Sequence, residues 1–201
     1  MSKKAVAVGC LLAGATMVVA CGNDDSSSSP STSATVAKPS LLVSVSPAPS
    51  QADAKKTVSF DPCFAVSDEL VTKAGFDPAT RERSAGEVVT PSLTTIGCTF
   101  KGQSSGGEND SITYVSVESS NFGLDHIRNN PDRTVFNSDP IDGREAVLYR
   151  TAQMPGTCSA AIKSTDGVLD VSLMAYTGAA PAAAPCDQIR QVAETFASAL
   201  G

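Results

Sequence analysis

Polar and apolar positions alternate most regularly near the C-terminal end of the chain. Cys158, Ala160 and Ile162 share one face of a strand over Cys158–Thr165, and Leu169, Val171 and Leu173 share one face of a second over Val168–Tyr176. Asp166-Gly167 between them is a hairpin turn signal, since both turn residues must tolerate positive φ. Beyond Pro185 and Cys186 the period changes: Ile189, Val192, Ala193, Phe196 and Leu200 recur at helical spacing and Gly201 closes the helix. Upstream, Ser67 caps a helix with Asp68 and Glu69 in its first turn, which Gly75 ends. Residues 96–101 and 112–118 read as two strands around the polar tip Gly102–Ser111, and Arg144–Thr151 is a further extended run after Ile141-Asp142-Gly143. These elements predict an α+β fold, an antiparallel β-sheet with an N-terminal and a C-terminal helix packed on it.

The first 56 residues follow another pattern. Lys3 and Lys4 precede an apolar run from Ala5 to Ala20, the layout of a secretory signal peptide with a core too short to span a bilayer. Met17-Val18-Val19-Ala20-Cys21 resembles the lipobox of bacterial lipoproteins. That resemblance implies cleavage after Ala20 and a lipid on the Cys21 sulfur, holding the protein to the membrane through its acyl chains. Residues 21–56 hold the lipidated Cys and a stretch rich in Ser, Ala and Pro without an aromatic residue, expected to be a disordered tether. Leu41-Leu42-Val43-Ser44-Val45 is its exception, readable as an edge strand or partner contact but expected to be a frayed apolar patch. All seven Phe and all three Tyr lie between Phe60 and Phe196, which confines the globular domain to 57–201.

Composition narrows the chemistry. The 201 residues carry a net charge of −6, and the leader removes two lysines and no acid, so the remainder is more acidic still. A nucleic-acid reader needs a basic face, which this balance argues against. Four cysteines remain in the domain, Cys63, Cys98, Cys158 and Cys186, an even number that reads as two disulfides in an exported chain, with three connectivities open. Each half of the domain places one Cys by a helix and one on a strand, which favours Cys63–Cys98 and Cys158–Cys186. No Cys-x-x-Cys spacing occurs, and with a single His no metal site and no cofactor is expected.

The ordered set Phe60-Asp61-Pro62-Cys63, Ala74-Gly75-Phe76-Asp77, Gly97-Cys98-Thr99-Phe100, Gly143-Arg144-Glu145-Ala146-Val147, Cys158 and Pro185-Cys186-Asp187 resembles an actinobacterial lipoprotein family known as domain of unknown function 3558. The resemblance covers about residues 58–200. Two residues after the second Cys, where the family usually shows an aromatic, often Trp, this chain carries Phe100, a conservative change. It implies a cell-envelope lipoprotein and leaves activity open.

Gly102-Gln103-Ser104-Ser105-Gly106 fits the Gly-x-Ser-x-Gly pattern of serine hydrolases, with Asp110 and His126 following in the order such enzymes use. That elbow needs a strand-to-helix turn, whereas here the pentapeptide lies in a hairpin tip; a solvated loop is expected, and His126 is expected on the surface of a short helical turn. Glu108-Asn109-Asp110-Ser111 is rich in oxygen but lacks the alternating ligands of a calcium loop. The expected function is that of a lipid-anchored module on the extracytoplasmic face of the cell membrane, binding an envelope ligand or partner protein and not acting as an enzyme. The alternatives are an envelope serine hydrolase using Ser104 and a structural or regulatory lipoprotein without ligand. The loops Ser104–Asp110 and Thr177–Pro185 are the candidate contact surfaces. A binding module is expected to show an apolar pocket between helices and sheet, a hydrolase a buried Ser104–His126 contact.

Overall fold

The computed structural model describes residues 40–103, 112–177, 180–181 and 185–201, which all fall in one unit spanning Ala37–Gly201. Asp61 caps the one-turn helix α1 (Pro62–Ala65) by accepting from the Cys63 amide, with Pro62 in its first turn, where a missing N–H costs nothing. Ser67 then caps α2 (Asp68–Lys73) through the Leu70 amide, and Gly75, at φ +91°, ends it. The strands follow as β1 (Phe76–Arg83), β2 (Val88–Val89), β3 (Thr94–Gly102) and β4 (Ile112–Ser120). After the short helix α3 (Leu124–Arg128) come β5 (Arg133–Asn137), β6 (Ala146–Thr151), β7 (Thr157–Lys163), β8 (Val168–Thr177), β9 (Ala180–Pro181) and the C-terminal helix α4 (Ile189–Ala197).

The nine strands form one antiparallel sheet in the order β1-β3-β4-β8-β7-β6-β5, with β2 beside β3 and β9 beside β8. It is built from two halves. One is the β3–β4 hairpin with β1 on its edge; the other is the β5–β8 meander. They meet where β4 pairs with β8 from Ile112↔Tyr176 to Ser120↔Val168. The Asp166-Gly167 turn closes β7 on β8, and a side chain at Gly167 would collide with the carbonyl oxygens of Phe122 and Ser120. The buried Asp166 carboxylate also accepts from the Ser59 and Phe60 amides at 2.9 and 2.8 Å, tying the entry to α1 onto that turn.

Helices α1, α2 and α4 cover one face of the sheet. Phe196 of α4 lies 6.4 Å from the Phe100 ring and 6.5 Å from Phe76, between Ile189 and Val192 of its own helix and Val115, Val117, Val171 and Leu173 of the sheet. Arg81 is buried beside them, donating to the Cys63 carbonyl and to Asp68 while its guanidinium lies over Phe100. Cys63 bridges to Cys98 and Cys158 to Cys186, so one disulfide ties α1 to β3 and the other ties the entry of α4 to β7. These are the favoured pairings, and the α+β antiparallel architecture is the expected one.

Three features differ from expectation. β1 occupies residues read only as the exit from a helix, because Pro78 masks it; the strand accommodates the proline with a register shift between Asp77 and Glu82. β5 was not read as a strand, since its residues alternate between half-buried and exposed without an apolar face. Residues 40–56 do not leave the domain as a free tether: Leu42 N–H donates to Asp68, Val45 packs on the core, Lys55 N–H bonds the Pro91 carbonyl and Asn121 holds the Lys56 carbonyl. Leu41, Val43 and Val45 are half-buried between exposed neighbours, so the apolar patch is laid on the domain.

Candidate functional site

The strands that turn Val115, Val117, Leu169, Val171 and Leu173 toward the helices must turn their alternate residues the other way. That opposite face carries a cleft of about 970 Å³, within the range of small-molecule sites. Register defines its floor. Thr99, Ser116, Ser172, Ser159 and Tyr149 stand opposite one another in turn across β3, β4, β8, β7 and β6, a row of hydroxyls over five strands. The next level toward α3 places Glu118 opposite Asp170. The level on the other side pairs Tyr114 with Met174 and Met174 with Thr157. Phe122 and His126 close one end, their rings 4.7 Å apart, and Tyr114 and Tyr176 meet edge to face at 6.0 Å toward the other.

Glu118 and Asp170 are held by separate networks. Glu118 accepts from Ser84 and, at 3.0 Å, from Ser116. A side chain at Gly97 would collide with the Glu118 Cγ, and one at Gly86 with its carboxylate, so these two glycines make the space that Glu118 fills. Asp170 accepts from the Tyr149 hydroxyl at 2.5 Å and from Ser172 at 3.2 Å, and Ser172 is 2.7 Å from Ser159. Burial pushes the Asp170 carboxyl up to about 6, with the Glu118 charge adding to it, against the hydrogen bonds from Tyr149 and Ser172 and the charge of Arg133. Burial and the Asp170 charge hold the Tyr149 phenol well above its usual range, so it donates. Arg133 lies over the Tyr149 ring, 5.1 Å from its centroid, and its buried Nη1 has no hydrogen-bond partner among the described residues.

The cleft gathers the rare residue types of the domain: all three Tyr, the one His, and both Met beyond the leader, Met154 and Met174. His126 sits exposed on α3, as expected of a short helical turn. Ser104, Asp110 and the Glu108–Ser111 oxygens lie outside the described residues, as does most of the Thr177–Pro185 loop, of which β9 pairs with β8. The cleft is thus not the apolar pocket expected between helices and sheet: that space is filled by the core, and the opening lies on the other face with a polar floor. The sequence does not mark its residues, because alternate polar positions in a strand look the same whether they face solvent or a cleft; the available signal is the small number of Tyr, Met and His residues in the domain. Cys21 also lies outside the described residues, among which no helix is long and apolar enough to cross a membrane and no cluster of three metal-ligating side chains occurs.

No curated protein and no solved structure matches the chain. A family model described as "Protein of unknown function (DUF3558)" matches residues 16–198, nearly the whole chain, and the protein belongs to that family.

Proposed function

We propose that the protein is a lipid-anchored binding module of the cell envelope, held to the outer side of the cell membrane through Cys21, which seats its ligand in the cleft on the open face of the sheet. The observation that carries the reading is that the face opposite α1, α2 and α4, beside the patch where α3 packs on Val147, Ala161 and Val168, opens into a cleft lined by every Tyr and the one His. A face meant only for water gains nothing from such residues, whereas amphipathic rings beside fixed polar groups are what a ligand site needs. Binding fits better than turnover because both Asp170 oxygens are taken up by Tyr149 and Ser172, and Glu118 is tied to Ser84 and Ser116. The anchor rests on the lipobox sequence before Cys21.

Two measurements test this. Mass spectrometry of the mature N-terminal peptide is expected to show acyl chains on Cys21, lost in Cys21→Ser; an unmodified Cys21 removes the anchor. Native mass spectrometry of the chain purified from its own envelope is expected to show a bound small molecule that Thr99→Trp, which fills the cleft at a half-buried position, displaces. An adduct unchanged in Thr99→Trp, or none in the wild type, removes the cleft as its seat.

A further inference from the structure

We propose that the cleft takes a short acidic oligosaccharide, its carboxylate on Arg133 and its hydroxyls along the row from Tyr149 to Thr99, an inference that rests on the binding role proposed above. The first argument is the unpaired guanidinium. Arg133 lines the cleft while only half-buried, its guanidinium has no hydrogen-bond or ion-pair partner among the described residues, and charge-assisted bonds to carboxylate are those that arginine geometry serves best. Its guanidinium carbon lies over the Tyr149 ring, and the register Arg133↔Thr151 puts it on the outermost strand of the cleft.

The second argument is the floor. Hydroxyl groups both donate and accept and rotate to suit, so a row of Thr99, Ser116, Ser172 and Ser159 matches a ligand whose own groups do the same. Sugars have that property along their whole length. Glu118, whose Oε1 takes the bonds from Ser84 and Ser116, offers a carboxylate to sugar hydroxyls at the far side of the row. The Tyr114 and Tyr176 rings, on the other side of the row from Glu118, give apolar surface for the C–H face of a pyranose.

Charge and length exclude the neighbouring classes. A polyphosphate or polyanion meets Glu118 and Asp170 in the middle of the floor, so a single anion at one end is what the cleft complements. An extended peptide recognised by a sheet adds to an unpaired edge, whereas here the floor is the interior of the sheet, its strands paired on both sides. From β5, which carries Arg133, to β4, which carries Glu118, there are four strand spacings, roughly 19 Å, too far for one sugar ring and suited to several linked ones.

The test uses the full chain on a printed array of short oligosaccharides in matched pairs, one member carrying a uronic-acid carboxylate and the other the corresponding alcohol. Wild type is expected to retain acidic members over their neutral partners by about tenfold or more, the ratio expected of one charge-assisted hydrogen bond. Arg133→Met is expected to abolish that preference and Arg133→Lys to keep part of it, while Thr99→Trp loses both members. The proposal is overturned if no carboxylated member is retained, if Arg133→Met keeps the acidic preference, or if light scattering shows a wild-type dimer that Thr99→Trp breaks, which makes a second copy the occupant. A native-mass adduct displaced by Thr99→Trp, with no retention on the array, leaves the binding role standing and removes only the sugar.

Discussion

The two faces of the sheet are made by the same strands and obey the same alternation, yet they carry opposite chemistry. On the covered face β4 and β8 present Val115, Val117, Val171 and Leu173, which fill the space under Phe196. On the open face, one residue along, the same strands present Ser116, Glu118, Asp170 and Ser172. The covered face holds the fold by removing apolar surface from water. The open face keeps a row of polar groups nearly as inaccessible, with Ser159 and Asp170 under a tenth exposed, a desolvation cost that the covered face meets mainly at Arg81. The binding role proposed above accounts for that cost, since stability is given up for positioned polar groups.

Substitutions that separate the faces sharpen this contrast, and the largest effects belong on the covered side. Phe196→Ala removes a fully buried ring between Phe100 and Phe76, and denaturant unfolding is expected to show a loss of about 3–5 kcal/mol. Replacing both Cys158 and Cys186 with Ala opens a link between residues 28 apart and is expected to cost about 3–4 kcal/mol in the same measurement. On the open face the expected effect depends on pH. The folded Asp170 carboxyl, at about 6, holds its proton above the unfolded value near 3.8, so the folded state binds more protons between the two and its stability falls as pH rises through that interval. Asp170→Asn removes this dependence: its stability relative to wild type is expected to climb between pH 4 and 7, by up to about 3 kcal/mol. A flat difference across that range means that Asp170 does not titrate as a buried group. The smallest effect is expected at Thr99→Ala, within about 0.5 kcal/mol. A loss there comparable to that of Phe196→Ala makes the open face structural and breaks the contrast.

Legibility followed the same division. The covered face could be read because its signals are local: the Asp166-Gly167 turn, the period of Ile189, Val192 and Phe196, and the placing of one cysteine by a helix and one on a strand in each half. The cleft could not, because its row depends on strand order. Ser116 meets Ser172 only when β8 inserts beside β4, a pairing across more than 50 residues that no local pattern encodes. Pro78 concealed β1, and composition assigned residues 40–56 to a tether although Val45 and the Lys55–Pro91 hydrogen bond join them to the domain. The serine-hydrolase pattern falls at Ser104, outside the described residues, while the residues that distinguish the domain from a plain sandwich of helices and sheet are Tyr149, Asp170 and Arg133.

The union of β4 with β8 also governs the order of assembly. Each disulfide lies within its own half, Cys63–Cys98 ahead of β4 and Cys158–Cys186 after β6, and neither crosses the join. Neither native bridge therefore needs the halves to be joined before it can form. The pairing of β4 with β8 is long-range in sequence and is expected to be the slow, topology-limited step, which completes the cleft at the same time.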